Sequence, residues 1–426
     1  MMRIGHTAAG GGATANATAG PPAVARSAAG GARAVHAAAR ASAVRPAIAP
    51  PPKVIHVVEH LHNGAVESWL VRMLAHARRK GVAADWTFYC ALPRAGRQDE
   101  RARGLGARVV HSPVPVGDKA GFIRALRATL QRERFDVLHC HHDLVSAVYL
   151  AAAIGTGVGT RIVHVHNADE EVLTPNRLKA ALLREPLRRT CLALSDRIAA
   201  NSNHTLDTFL AGRKRRPGRD IVHLYGVDPA PFVQAIPDRT ALRRDLELAA
   251  DAPILLFAGR MVAEKNPLFA VDVLAELVRR DPRVAGVFAG AGAEESAVRA
   301  RIAQHGLGRA VRMLGWRDDV HRLMGAADWF ILPHPEAPME GFGLAIVEAQ
   351  LAGLRMLLSR GIADDPLLPS ARYRRLPLAA GAAAWAAAAL ELAREPVPSP
   401  QRARAELAQS AMDLDRALDA LGALHR

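Results

Sequence analysis

An alternation of short apolar runs with helical patterns, carried through twice, constrains this chain more than any other feature. In the first series the runs are Lys53–Val58, Asp85–Leu92, Arg108–His111, Asp136–His141, Arg161–His166, Arg197–Ser202 and Ile221–Tyr225. Amphipathic patterns separate most of them, at Val66–Arg79, Lys119–Arg132, Arg177–Leu194 and Asn203–Leu210. The second series has runs at Ile254–Ala258, Val284–Ala289, Val311–Leu314, Trp329–Leu332, Arg355–Leu358 and Tyr373–Leu376. Its helical patterns fall at Pro267–Arg279, Glu294–His305, Val320–Ala326, Leu344–Ala352 and Gly381–Arg394. Apolar strands that alternate with helices imply parallel sheets covered on both faces. The expected class is α/β, with two tandem Rossmann-like parallel-sheet domains. Ligands are expected at the C-terminal ends of the strands, in the cleft the domains face.

At 426 residues the chain is too long for one ordinary core. Residues 1–50 are a low-complexity Ala, Gly, Pro and Arg stretch that cannot bury a core and lacks the apolar segment of a secretory signal. They are expected to be a disordered tail. An N-terminal domain is expected at 51–228 and a second at 229–396, with Gly226, Pro229, Pro231 and Pro237 punctuating the connection. Pro396, Pro398 and Pro400 then break the chain before a last amphipathic helix, Ala405–Leu424, within 397–426.

The formal charge of +15 suits anionic partners such as nucleotides or phosphorylated lipids, although a general arginine bias explains it equally well. The basic loop Arg213–Arg219 lacks the aromatic interleaving of a nucleic-acid surface, so no nucleic-acid partner is expected. It reads as a solvated loop, with contact to an anionic membrane as the functional alternative. Cys90, Cys140 and Cys191 lie far apart in apolar segments, as buried thiols of a reducing compartment do. The longest apolar run, Leu144–Thr160, is interrupted by three glycines and fits a core helix plus loop better than a membrane span. The expected location is the cytoplasm, with any membrane contact peripheral and at the inner face.

Two stretches carry candidate chemistry. Pro333–Ala349 follows the apolar run Asp328–Leu332 and leads through a loop to a helix beginning at Leu344. Gly341 and Gly343 flank Phe342 in that loop, and Glu340 and Glu348 bracket it. Glycines admit a phosphate close to the backbone, and a helix start offers free N–H groups. In Phe257–Pro267 a strand ends at Gly259, and Arg260 and Lys265 project from the following loop. Such a pair could neutralise a diphosphate, but two solvated charges are the plainer reading of the stretch by itself. Gly290-Ala291-Gly292 imitates a dinucleotide fingerprint, yet Glu295 stands where the third glycine belongs, which excludes a nicotinamide site. Asp318-Asp319 and Asp364-Asp365 read as helix caps. His139, His141 and His142 cluster at a strand end without an accompanying metal-ligand pattern of Cys or carboxylates, which favours packing over a metal.

Taken in order, Gly259-Arg260…Glu264-Lys265-Asn266, Gly290-Ala291-Gly292, Leu314-Gly315-Trp316 and Glu340-Gly341-Phe342-Gly343-Leu344…Glu348-Ala349 resemble the pattern of retaining glycosyltransferase family 4 (group 1). The resemblance covers about residues 53–390. It implies the GT-B fold, with the nucleotide sugar in the C-terminal half and the acceptor in the N-terminal half. By the same resemblance Arg260 and Lys265 match the diphosphate-binding pair. Gly341, Phe342, Gly343 and Leu344 match the loop around phosphate and sugar oxygens. Glu348 matches the ribose-binding carboxylate, Glu340 the one at the donor sugar, and Trp316 a residue near the base. His62-Asn63-Gly64-Ala65-Val66-Glu67 resembles the family's Gly-Gly-x-x-Glu loop, with Asn63 for the first glycine and Gly64 left to admit phosphate. His166 matches the active-site histidine that hydrogen-bonds the donor, with His164 as its rival.

The implied activity is transfer from a nucleotide diphosphate sugar to a glycan or polyprenyl-phosphate-linked acceptor in cell-surface polysaccharide biosynthesis. No metal and no cofactor beyond that co-substrate are expected. The loops Gly64–Glu67 and Asp169–Asn176 are expected to set specificity. A nucleotide-sugar 2-epimerase and a non-catalytic assembly protein of the same fold are the alternatives.

Overall fold

The computed structural model describes residues 50–62, 64–167, 177–234 and 239–426. The expected tail through residue 49, Asn63 and the specificity loop after Ala168 lie outside the described residues.

Seven strands form the first sheet: β1 (Lys53–Val58), β2 (Asp85–Cys90), β3 (Arg108–His111), β4 (Val137–Cys140), β5 (Thr160–Val165), β6 (Arg197–Ala200) and β7 (Asp220–Val222). Six form the second: β8 (Ile254–Ala258), β9 (Ala285–Ala289), β10 (Val311–Gly315), β11 (Trp329–Leu332), β12 (Arg355–Ser359) and β13 (Tyr373–Leu376). The spatial orders are 3-2-1-4-5-6-7 and 10-9-8-11-12-13, so both sheets wind alike. Every pairing between named strands is parallel. The winding reverses between β1 and β4, and again between β8 and β11. Loops leaving those strand ends diverge to opposite faces and open a crevice for ligand. This is the two-domain α/β arrangement expected.

Burial on both faces explains why the strands read as continuous apolar runs. In β1, Ile55 and Val57 enter one core cluster, while Val54 and Val58 enter another beneath Trp69, Leu70, Met73 and Leu74 of the helix Ala65–Arg79. The second face also carries histidines. His56, His139, His141, His164, His166 and His223 are all buried in the first half, and His425 joins them from the C-terminus.

The last helix differs from expectation. Instead of one helix over Ala405–Leu424, the chain forms Pro400–Gln409 and Leu414–Leu424. Asp413 ends the break by capping the second helix, accepting from the backbone N–H groups of Asp415 and Arg416 at 3.1 Å each. That helix packs on the N-terminal half: Asp415 meets His76 at 2.6 Å and Lys80 at 2.7 Å, and Arg197 donates to the Leu424 carbonyl at 2.6 Å. Three short helices, Asp99–Gly104, Ala230–Gln234 and Arg239–Asp245, escape the sequence pattern because they are too brief to show a period. Among the described residues no helix is long and apolar enough to cross a membrane.

Candidate active site

The site grows from the second switch point. Because β8 and β11 are hydrogen-bonded neighbours, the loops after them leave side by side. After β8 the chain bends through a short turn, Ala263–Lys265, and Asn266 takes a left-handed conformation before Pro267 opens the next helix. That turn aims Lys265 at Glu340 in the loop after β11, and the Lys265 ammonium pairs directly with Glu340 Oε2. His334 Nε2 lies 3.7 Å from the same oxygen. Burial alone would raise the Glu340 carboxyl. The charges of Lys265, His334 and Arg260 outweigh burial and hold it below its ordinary range, so Glu340 is ionised. Arg260 is exposed beside this pair, with no hydrogen-bond or ion-pair partner among the described residues.

The glycine loop then turns into the helix Leu344–Leu351. Gly343 sits at its N-cap with φ of 78°, a conformation glycine adopts without strain. Glu348 projects one turn further on. Burial raises its carboxyl, and Arg72 of the N-terminal half, 3.9 Å away, opposes that shift. Gly341 serves as the seam between halves. A Cβ there would stand 2.4 Å from the His166 carbonyl oxygen, and Asn201 Nδ2 donates to that oxygen at 2.8 Å. Phe342, 1% exposed, packs edge-on against Tyr225 with ring centroids 5.3 Å apart. Gly341 and Phe342 therefore bring the halves together.

Gly341→Ala is expected to cost about 1–3 kcal/mol, because backbone on both sides must move. Gly259→Ala, where an added Cβ meets nothing within 4 Å, serves as control. Equal urea midpoints for the two variants would show that the seam tolerates a side chain.

The first half contributes differently from expectation. His166 lies at the end of β5, but its ring is 4% exposed and both nitrogens are engaged. Nδ1 is 2.6 Å from the Tyr225 hydroxyl, and Nε2 is 3.0 Å from His141 Nδ1. Burial, assisted by His223, depresses its pKa to about 3, so the ring is neutral. The donor-facing imidazole expected at the strand's end is instead a packed one. His164, the rival, is buried against His139 at 3.2 Å. Two hydrogen-bonded rows result, His56–His141–His166–Tyr225 and His164–His139–His425. His56, His139 and His425 bring one ring nitrogen each within 4.8 Å of the others, as do His139, His141 and His164. A divalent ion there would bury two charges with no carboxylate in either trio, whereas the rings already pair among themselves.

Gly64, too, is occupied: a Cβ there would stand 2.0 Å from Glu67 Oε2. Trp316, 43% exposed, stands at the end of β10 and donates from Nε1 to Asp318 at 3.1 Å. The paired acids bind side chains and the start of another helix, Asn203–Leu210, instead of capping helices of their own. Asp319 holds Arg317 at 2.7 Å, Asp364 holds Arg375 at 2.7 Å, and Asp365 accepts from Asn203 N and Nδ2 at 3.0 and 2.7 Å. Gly290 and Gly292 admit the Gly259 and Met261 carbonyls, which accounts for the imitation fingerprint by packing. The structure thus gathers Arg260, Lys265, Glu340 and the 341–344 loop with Glu348 on one wall. Arg72 and Tyr225, which face them, carry no sequence signal beyond their amphipathic and apolar surroundings.

Two family models match the chain: a glycosyl transferase 4-like domain over residues 70–226 and glycosyl transferases group 1 over residues 238–362. A putative glycosyltransferase, EpsF of Bacillus subtilis, is 28% identical over 87% of this chain and 95% of its own. The UDP-Gal:alpha-D-GlcNAc-diphosphoundecaprenol alpha-1,3-galactosyltransferase of Escherichia coli is 25% identical over 55% of this chain and 60% of its own length. The crystal structure of Anabaena HepE with UDP superposes with a TM-score of 0.67 at 18% identity, covering 87% of this chain and 98% of HepE.

Proposed function

We propose that this chain, which belongs to the GT-B-fold glycosyltransferases, is a retaining enzyme that moves a sugar from a nucleotide diphosphate sugar to a glycan or polyprenyl-phosphate-linked acceptor in cell-surface polysaccharide assembly. One observation carries the proposal: a partly buried, ionised Glu340 paired with Lys265 beside Arg260, which has no partner among the described residues, at the strand switch point. Arg260 and Lys265 would take the diphosphate, where charge develops as the sugar departs. Glu340 would then be released to meet the donor sugar hydroxyls, and Glu348 would bind the ribose. Attack would come from the face the diphosphate leaves, with the departing phosphate accepting the acceptor's proton. Such a path needs neither a protein nucleophile nor a metal. His166 would act by positioning: its ring holds Tyr225 against Phe342, and its carbonyl meets Gly341. Exposed Trp316 remains available to the base.

The donor class is supported by HepE, a neighbour in fold that binds UDP, and the acceptor class by the diphosphoundecaprenol-linked acceptor of the E. coli relative. Leu178 and Leu182, exposed on the helix Arg177–Leu194 next to the Arg213–Arg219 loop, support peripheral contact with an anionic membrane.

A thermal-shift screen of nucleotide sugars tests the donor, since a ligand that binds the native state raises the melting temperature. With the donor known, Glu348→Ala should weaken its affinity about tenfold, the loss of one or two hydrogen bonds to a ribose. Glu340→Gln should mainly lower kcat. Equal effects of both changes on KM would refute that division. Epimerisation of the donor without acceptor would replace transfer with the epimerase reading.

A further inference from the structure

Glu67 is a half-buried carboxyl that the transfer mechanism does not use. It lies in the first turn of the helix Ala65–Arg79, just past the C-terminal end of β1, on the cleft side of the N-terminal half. Its carboxylate folds back beneath Gly64, filling the space a side chain at 64 would take. Position 64 is therefore bare for the sake of this carboxyl, where the sequence suggested room for a phosphate. Its own backbone N–H is the hydrogen-bond donor that serves it. Among the described residues the charges that act on it are Glu59, which follows β1, and Arg260 of the other half, and its own charge acts in turn on Cys90 and Tyr225. Burial holds the last two neutral by pushing the Cys90 thiol up to about 12 and raising the Tyr225 phenol.

We propose that Glu67 serves the donor-bound enzyme as a neutral carboxylic acid, donating a hydrogen bond from its O–H to an oxygen of the donor's diphosphate. The inference rests on the reading that Arg260 takes that diphosphate. In the free protein, burial raises the carboxyl to about 7 and Glu59 adds to the shift, while the backbone N–H and Arg260 oppose it. A diphosphate on Arg260 cancels a cation that favours the carboxylate and adds negative charge beside it. Both changes favour the protonated form. A carboxylate in this place would repel the donor, whereas the acid offers an O–H to it. Enzymes use buried carboxylic acids in this way to support a developing oxyanion. Charge grows on the diphosphate as the sugar leaves, so the hydrogen bond strengthens in the transition state. No proton need leave Glu67.

The test is proton uptake on binding UDP, measured by titration calorimetry of the full chain in buffers of different ionisation enthalpy. At pH 8 the wild type should take up about one proton more per UDP than Glu67→Gln, because its carboxyl is mostly ionised beforehand. UDP affinity of the wild type should fall close to tenfold between about pH 7.5 and 8.5, and that of Glu67→Gln much less. Glu67→Gln keeps an N–H donor and should bind UDP within about threefold of wild type at pH 7, while Glu67→Ala binds about tenfold more weakly. Equal proton counts for wild type and Glu67→Gln, with both binding UDP, would overturn the proposal and leave the diphosphate site intact. Failure of UDP, GDP and ADP alike to bind the wild type would overturn the site itself, and this inference with it.

Discussion

Replacing Lys265 by Ala should lower kcat/KM for the donor on the order of 10²–10³-fold, the usual loss when one preorganised charge at a departing group is removed. The effect is expected to be this large because Lys265 has two consecutive roles. Before binding, its ammonium holds the partly buried Glu340 carboxylate. After binding, it passes to the diphosphate and releases Glu340 to the sugar. Without Lys265, Glu340 retains His334 at 3.7 Å and the longer-range charge of Arg260. Burial, the largest influence on Glu340, would then raise its carboxyl, so the variant should lose both the cation and the ionised acid. Lys265→Arg should restore little, since a planar fork does not fit where one compact charge meets one oxygen. Stability and activity can be separated by a double change. Lys265→Met with Glu340→Leu removes the pair together, which is often neutral for folding, whereas breaking a buried pair by halves costs up to about 3–5 kcal/mol. The double variant should therefore melt above Lys265→Ala and be equally inactive. Transfer within threefold of wild type in Lys265→Ala would refute the site.

Much of this arrangement is legible in the sequence, because its cause is local. Strands buried on both faces read as apolar runs, and Gly259, Pro267 and Gly343 mark where strands end and helices begin. Pairing across strands is not local, and the sequence is silent where that matters. The spacings His139/His141 and His164/His166 show that each pair shares a face. They do not show that the face lies under Trp69 and the C-terminal tail, which is why His166 read as a free cleft group. Glycines show the same limit. Gly64 and Gly341 both read as room for phosphate, yet their neighbours are the Glu67 carboxylate and the His166 carbonyl. A glycine announces that something comes close, and tertiary structure alone decides what. The break at Ser410–Asp413 was encoded by capping residues inside an amphipathic stretch whose period outweighed them.

The packed histidine face makes a prediction that is independent of any substrate: the protein should unfold as the pH falls from 6.5 toward 5. His56, His139, His141, His164, His166, His223 and His425 are seven buried imidazoles, each held below its ordinary pKa, chiefly by burial. His166 and His425 fall to about 3 and His223 to about 4. A base whose folded pKa is depressed leaves stability complete above the unfolded value, near 6.5. That stability is lost as the pH drops toward the folded values, because the unfolded chain binds the protons first. At pH 5 each imidazole should have removed about 2 kcal/mol, at 1.36 kcal/mol per pH unit. Seven together exceed roughly 10 kcal/mol, comparable to the whole stability of a typical domain. Glu67 and Glu348 work the other way, since a raised carboxyl binds its proton in the folded state, but they are two half-buried groups against seven. Unperturbed carboxylates titrate at about 4, so a transition between pH 6.5 and 5 falls chiefly to the histidines. Urea midpoints measured across this window should fall continuously. His223→Gln, which keeps the donor to the Ala417 carbonyl, should flatten the slope by about 1.4 kcal/mol per pH unit. An unchanged midpoint between pH 7.5 and 5.5 would mean that these imidazoles are already charged or hydrated in the native protein, and the packed rows would have to be abandoned.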